Sequence, residues 1–385
     1  MAPVNMAHRQ AKSSGVFSQF SRIFQKNNKP VVSQKQFQPQ GSGSVAYYYA
    51  AGKPVWKSRR YQNFAEAGYI RNVIAHRCIE LIANNAASVK IKLMRRVKGQ
   101  DVEVKQHSLL DLLKRPNPCM GGVALFTDVI MHKLISGNSY IQLIRDGVGV
   151  PAELYVLRPD RMTVIAGKGC FPAGYIYQVG DKERKFGVDS VTGKSDLLHL
   201  KTSHPLSDWY GLSAFEAAAY AIDQHNQARE WNQSLLQNGA RPSGALVVKG
   251  EEGKGGYLSD EQYLRLKSQL NEEYMGAANA GRPVLLEGGL EWHEMSLSPK
   301  EMDFLNMKHS AARDIALAFG VPPQMLGIPG DSTYSNYKEA RNAFWEETIL
   351  PLLTQLLSSL NNWIVPEFAN RAGMLELVIG ENLEE

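Results

Sequence analysis

The hydrophobic positions of this chain change period several times, and each change marks an element. Residues 66–88, EAGYIRNVIAHRCIELIANNAAS, place Ile70, Val73, Ile74, Cys78, Leu81 and Ile82 on one face of a single helix. VKIKLMRR (89–96) alternates as a short strand and closes in a turn at Lys98–Gly99. A second helix is predicted over GVALFTDVIMHKLISG (122–137), stopped by Gly137 just past its end. From 138 to 159 the alternation runs on both sides of Asp146–Gly147, the strongest hairpin signal in the sequence. Further strands are expected at 161–166, 174–179 and 196–202. Together these describe a compact α+β domain over roughly residues 61–208.

Beyond residue 212 the texture changes. LSAFEAAAYAIDQHNQAREWNQSLLQNGARP is nearly all helix formers, with Ser213 as candidate cap and Glu216 three residues on. It stops at Asn238–Gly239, with Pro242 beyond. Such a helix runs on the order of 40 Å. Its many alanines and polar positions leave no wide apolar stripe, which suits packing against copies of itself or lining a passage. Residues 243–298 read as a small α/β insert: strand SGALVVKG, a helix capped by Ser259, then strands RPVLLEGG and LEWHEMSLS. Another helix follows over 298–320, with Ser298 as cap and Pro299 at its first position. AFGVPPQMLGIPGDSTYSNYKEA (318–340) then breaks the pattern with three prolines and a cluster of hydroxyls and aromatics. A long helix runs from Tyr337 to about Ile364, and Pro351 inside it is expected to kink it.

Composition narrows the class. At 385 residues, 44% apolar and 21% charged, the chain suits two or three core-bearing units. No apolar run approaches the roughly 18 residues of a membrane span. Cys78, Cys119 and Cys170 lie far apart, in neither a disulfide framework nor a zinc pattern, and fit a reducing compartment. The net charge of +5 hides an asymmetry. Residues 1–60 hold ten of the 43 cations and none of the 38 acids, which leaves the remainder at −5. A mildly acidic body therefore wears a basic arm. Within the arm QKQFQPQGSGS looks like a flexible linker, and Phe17, Phe20 and Phe24 share a helical face. The arm reads as disordered or partner-docking, with an organelle transit peptide as the lesser alternative.

Reactive groups are missing. KGEEGKGG (249–256) lacks both the glycine spacing and the hydroxyl residue of a phosphate loop. DGVGVP lacks the third glycine and following helix of a dinucleotide fingerprint. The nine histidines are scattered, and Ser207 and Asp208 near His204 have no nucleophile elbow. No catalytic residue, metal or cofactor is assigned.

In order along the chain, RPNP (115–118), GNSYIQLIRDGVGVPAELYVLRPDRM (137–162), GLSAFEAA (211–218), NGARPSGAL (238–246), LSDEQ (258–262), EGGLEWHEMSLSPKEMDFL (287–305), IALAFGVPPQMLG (315–327) and STYSN (332–336) resemble one family. It is the portal proteins of tailed bacteriophages, in the branch common in long-tailed phages and gene transfer agents. The resemblance covers roughly 61–365 and implies an α+β portal fold with no chemistry of its own. A disordered basic arm (1–60) would precede the wing (61–211). A stem helix (212–240), clip (241–298) and second stem helix (299–320) would follow. Then would come a tunnel loop (321–336), a kinked wing helix (337–365) and a short crown or tail (366–385).

The resemblance further implies a virion protein, assembled in the host bacterial cytoplasm, forming a ring of about twelve copies at one capsid vertex. The ring would pass double-stranded DNA and dock the terminase large subunit, the head-tail adaptor and the major capsid protein, without a membrane. Gly327, Gly330, Asp331, Ser332, Thr333, Tyr334, Ser335 and Asn336 would line the channel. Hydroxyls and amides suit moving DNA, because a row of lysine–phosphate pairs would hold it still. Ser335 or Asn336 would otherwise simply cap the helix that follows. Lys300, Lys308 and Arg313 are candidates for a sparse basic band, or for intersubunit salt bridges. The rival reading is a nucleic-acid-binding or remodelling protein that grips through its basic arm. As an enzyme it would need clustered acidic metal ligands, and the sequence shows none.

Overall fold

Asn72 divides what the periodicity joins. The computed structural model describes residues 61–167, 171–237, 244–248, 258–269, 290–294, 304–329, 334–368 and 375–380, all within one unit that begins at Trp56. The basic arm lies outside them. The chain enters as α1 (Tyr61–Asn63), widens into a π-helical segment (Phe64–Ile70) and restarts as α2 (Val73–Ala87). Asn72 has extended backbone, and its Oδ1 accepts from the N–H groups of Ile74 and Ala75, both at 3.1 Å. This cap satisfies two orphan donors and resets the helical phase. Ala75, Cys78, Ile79, Ile82 and Ala86 are buried, whereas Ile70 and Val73 are exposed. The expected single helix over 66–88 with those two residues on its core face is thus corrected to two helices.

Three small sheets carry the rest of the domain. β1 (Ile91–Val97) and β2 (Gln100–Glu103) are joined through Lys98 and Gly99, both at positive φ, as a two-residue hairpin requires. On its other edge β1 pairs antiparallel with β11 (Leu375–Ile379), from Ile91 opposite Ile379 to Arg95 opposite Leu375. Leu375 and Leu377 are buried there. That part of the expected crown or tail is a strand of the first domain, because LELVI alternates and can cover the core. α3 (Ser108–Lys114) and α4 (Gly122–Ser136) follow β2.

The second sheet orders β4 (Pro151–Leu157), β3 (Asn138–Arg145) and β8 (Leu197–Lys201). The β3–β4 loop is wider than the expected Asp146–Gly147 turn. Asp146 N–H donates to Val150 O at 2.9 Å, and its carboxylate accepts from Val148 and Val150 N–H. The third sheet orders β5 (Met162–Ile165), β6 (Gly174–Val179) and β7 (Lys182–Gly187). β7 was not expected, since KERKFG exposes its first four residues and buries only Phe186. A charged edge of this kind resists pairing with other chains.

Two long helices leave and re-enter this domain. α5 (Ala214–Gln237) leaves, and α7 (Phe304–Phe319) returns. Phe215 and Phe319 meet edge-on with ring centroids 5.2 Å apart, and Lys308 lies near enough to act electrostatically on His225. The pair is therefore antiparallel. Between them, β9 (Gly244–Val248) and β10 (Leu290–Glu294) pair antiparallel. α6 (Asp260–Gln269) starts with a reciprocal capping box: Ser259 Oγ accepts from Gln262 N–H at 3.2 Å, and Gln262 Oε1 accepts from Ser259 N–H at 2.9 Å. The expected strand RPVLLEGG and the Ser298 cap lie outside the described residues.

The last helical run is α8 (Tyr334–Phe344), a π turn (Trp345–Ile349), α9 (Leu350–Trp363) and α10 (Val365–Phe368). The π turn directly precedes Pro351, so the widened turn falls where the proline has no N–H to offer. One core gathers α3, α4, β3, α9 and β11 around Leu109, Leu125, Ile141, Leu360 and Leu377. A second gathers α2, α7 and the π turn around the first turn of α5, with Ile82, Phe215, Phe319, Phe344 and Ile349 buried.

Candidate functional site

The root of α5 is built from two sequence segments 74 residues apart. Gly137 ends α4 in a left-handed conformation (φ 73°), and its backbone lies against that of Gly211. A Cβ on Gly211 would stand 2.0 Å from Gly137 O, and one on Gly137 would stand 2.5 Å from Gly211 O. Only glycine permits this approach. Asn138, buried beside it, accepts on Oδ1 from Gly211 N–H (2.7 Å) and His199 Nε2–H (3.0 Å) and donates from Nδ2 to Ser136 O (2.8 Å). Ser213 Oγ accepts from Phe215 N–H at 3.0 Å and donates to Ile135 O at 2.6 Å. The expected cap of α5 is thus also its weld to α4. Burial holds His199 down at about 3 and His132 down at about 4, so both imidazoles are neutral.

A second buried polar joint ties α5 to the break before α2. Asn72 Nδ2 donates to His225 Nδ1 (3.2 Å) and Asn226 Oδ1 (3.0 Å), and Asn226 Nδ2 donates to Ala67 O (2.8 Å). All three side chains are buried. Because Asn72 Oδ1 is taken by backbone donors, its amide must offer N–H to the imidazole. His225 is then the neutral Nε2–H tautomer, and burial, then Lys308 and Arg229, lower its pKa. Nothing in the residue pattern flagged this joint except the position of Asn72 just before an apolar helical run.

The loop after α7 is held at its two ends. Gly320 and Val321 close α7 with N–H bonds to Leu317 O (3.0 Å) and Ala316 O (2.9 Å), a Schellman pattern with Val321 buried. A 3₁₀ turn follows over Pro323–Leu326, Gly327 is exposed and left-handed (φ 69°), and Ile328 is buried. Thr348 Oγ1 donates to Gly320 O at 2.6 Å, and Arg313 Nη2 donates to Pro329 O at 2.8 Å. Gly330, Asp331, Ser332 and Thr333 lie outside the described residues. α8 begins at Tyr334, three residues earlier than expected, so Tyr334, Ser335 and Asn336 form its first turn. Ser335 and Asn336 are therefore inside the helix and cannot be its N-cap. First-turn N–H groups lack helical partners, which makes polar residues acceptable there.

The expected basic residues separate. Lys300 is outside the described residues. Lys308 and Arg313 are five positions apart on α7, about 140° around the helix at its usual pitch. Lys308 is half-buried on the side toward His225, whereas Arg313 holds the loop root. No group of three or more His, Cys, Asp or Glu able to hold a metal occurs among the described residues, and no described helix is long and apolar enough to cross a membrane.

A family model described as phage portal protein matches residues 74–379. A Rickettsia bellii protein described as uncharacterized is 49% identical over 295 residues, covering 77% of this chain and 74% of its own. The portal protein of Enterobacteria phage HK97 is 24% identical over 307 residues, covering 75% and 66%. Among solved structures, a chain in the neck of a native gene transfer agent particle computed with C12 symmetry is 42% identical with a TM-score of 0.62, covering 87% of both chains. A crystallised HK97-family portal protein from Corynebacterium diphtheriae gives a TM-score of 0.56 at 15% identity over 82% and 94%, a likeness of fold.

Proposed function

The chain belongs to the phage portal protein family, and from that premise we propose that it forms a ring of about twelve copies at one vertex of a phage or gene transfer agent capsid. The ring serves as the conduit through which double-stranded DNA is packaged and ejected. It catalyses nothing itself, as befits a structural family, and it docks a terminase, a head-tail adaptor and the surrounding capsid protein. The observation that carries this reading is the 42% identity to a chain in a gene transfer agent neck computed with C12 symmetry.

The geometry supports the same reading. The antiparallel pair α5 and α7 is the two-helix stem, welded at one end to the wing and carrying the β9–β10 insert, the clip, at the other. The loop closing α7 is the tunnel loop, and it stands where the stem meets the wing. Gly327 and the segment from Gly330 to Asn336 face the channel, with hydroxyls and amides making weak, sequence-blind contacts to phosphate. Lys300 and Lys308 are the candidates for a sparse basic band, and Arg313 serves the loop root. The particle is the site of action, and the subunits assemble in the host bacterial cytoplasm.

Single-particle electron microscopy of the purified full chain tests this. A closed ring of about twelve subunits around a hole wide enough for a duplex, roughly 20 Å, is expected. A chain that stays monomeric across concentration and salt, both alone and with its capsid proteins, would overturn the conduit.

A further inference from the structure

The buried stripe of the last long helix takes one irregular step. Ala340, Phe344, Ile349, Leu353 and Leu357 are all buried, at intervals of four, five, four and four. The step of five is the π turn Trp345–Ile349, closed by Leu350 N–H on Trp345 O. An α-helix over the same span would hold one residue fewer. Pro351 explains why the extra residue sits here. In an uninterrupted α-helix its ring would press on the carbonyl of Glu347 four residues back, and the widened turn relieves that clash.

The turn is also connected to the loop. Thr348, inside it, donates to Gly320 O at the end of α7, and a Cβ on Gly320 would stand 2.8 Å from the Thr348 hydroxyl. At the other end of the helix, α8 runs directly into the 330–333 segment. One side chain in the π turn therefore touches one root of the loop, and the register of that turn sets the position of the other.

We propose that the π turn stores one residue of helical register, and that its relaxation to α spacing advances α8 toward the 330–333 loop. The advance is one residue, about 1.5 Å along the axis with a turn of about 100°. Every position on α8 then passes to the following residue. Trp345 takes the place of Phe344, and Arg341 takes that of Ala340. The surroundings admit both exchanges at a cost that keeps the π form the resting one, since an indole overfills the closed site of Phe344. Trp345 is half-buried against the same core already, and the site of Ala340 lies at the edge of the core, where an arginine stem can lie along apolar surface with its head in water. Thr348 is carried round with the turn and releases Gly320. Thr348 and Pro351 are thus positioning residues for the loop, and both favour the π form.

This device extends the conduit reading but does not depend on it, since amide exchange in the turn can be measured in any assembly state. The experiment is amide hydrogen exchange on the full chain over residues 334–352, with electron microscopy of the same samples to read the register. Thr348→Val keeps the shape and removes the grip, and should speed exchange across 340–350 about tenfold, the scale of one hydrogen bond. Pro351→Ala removes the clash and should move Trp345 into the Phe344 position in the map. Deleting Glu346 together with Pro351→Ala removes the stored residue, and should leave α8 where it stands with exchange slower than in the parent. Exchange within twofold of the parent in Thr348→Val and an unshifted register in Pro351→Ala would overturn the proposal, whether or not the deletion folds. A failed conduit would show instead as the absence of rings, with these rates unchanged.

Discussion

The root of α5 and the loop after α7 are the two places where the long helices meet the first domain, and they are built on opposite terms. At the root, two backbones touch at Gly137 and Gly211, and Asn138, Ser213, Asn72, His225 and Asn226 are all buried. At the loop, Thr348 and Arg313 grip one carbonyl each, at Gly320 and Pro329, while Asn336 to Glu339 are exposed. Removing one partner of a buried hydrogen bond strands the other at a real cost, whereas an exposed pair simply exchanges with water. The root therefore holds one geometry, whereas beyond the buried Val321 and Ile328 the loop can leave its own at little expense. A stem that must keep its angle while a loop at its end yields needs this division.

Gly211→Ala is the harshest test of it. The new Cβ would meet Gly137 O at 2.0 Å and Thr202 N at 2.7 Å, both backbone atoms with no rotamer to adopt. The expected loss is about 4 kcal/mol or more, read from the denaturation midpoint. Gly327→Ala is the matched probe in the loop. Nothing lies within 4 Å of its Cβ, so only the left-handed φ is penalised, at about 1 kcal/mol. Equal losses at the two sites would erase the distinction.

Acid should act on the root through His199 and on α4 beside Tyr61 through His132, and spare the loop. His199, held at about 3, and His132, held at about 4, stay neutral in the folded chain while the unfolded chain takes up protons below about 6.5. Their contribution is full above that value and is lost as pH falls. The loss is on the order of 3 kcal/mol for each buried imidazole by pH 4. Urea midpoints measured from pH 7.5 to 4 should fall in that direction. A flat profile would show that these rings are solvated or already charged, and that the root is looser than its geometry.

Asn72→Ala should cost about 2 kcal/mol, since it removes the cap of α2 and strands His225 and Asn226. Asn72→Ser sharpens the point. It keeps a neutral oxygen acceptor for the capping N–H groups but gives up the amide N–H bonds to His225 and Asn226, so its cost isolates the tie to α5. If it proves as stable as the parent, the joint is only a helix cap.

These tests also mark what residue patterns can carry. The GNSY and GLSAF segments were legible as landmarks 74 residues apart, but their mutual contact was not, because close backbone approach leaves no trace in either segment alone. The α4 stop at Gly137, the Ser213 and Ser259 caps and the strands of the second sheet were readable from local rules. β7 escaped because its stability comes from pairing rather than from an apolar face. The helix break at Asn72 escaped because periodicity continues through it, and only the Asx capping geometry resets the phase. The π turn was readable in principle, as a five-residue interval between Phe344 and Ile349. Pro351 drew attention to a kink instead. Of the channel candidates, Lys308 and Arg313 were grouped by charge, and the helix pitch separates them.

The smallest expected effect bears most closely on the loop. Arg313→Met keeps an unbranched apolar stem on α7 and removes the bond to Pro329 O. A single exposed hydrogen bond to a charged donor is worth about 1 kcal/mol or less in global stability. Yet Pro329 O is held by a side chain at the last described residue of the loop, so its local consequence should exceed its global one. Limited proteolysis and amide exchange over 327–337 are expected to quicken severalfold while the denaturation midpoint barely moves. The contrast with Gly211→Ala is then complete, since one change weakens the whole fold and the other loosens only the loop. A midpoint that fell as far as the loop loosened would mean that the loop roots are part of the cooperative core. The ability of the loop to yield would then have to come from the residues between Pro329 and Tyr334 alone.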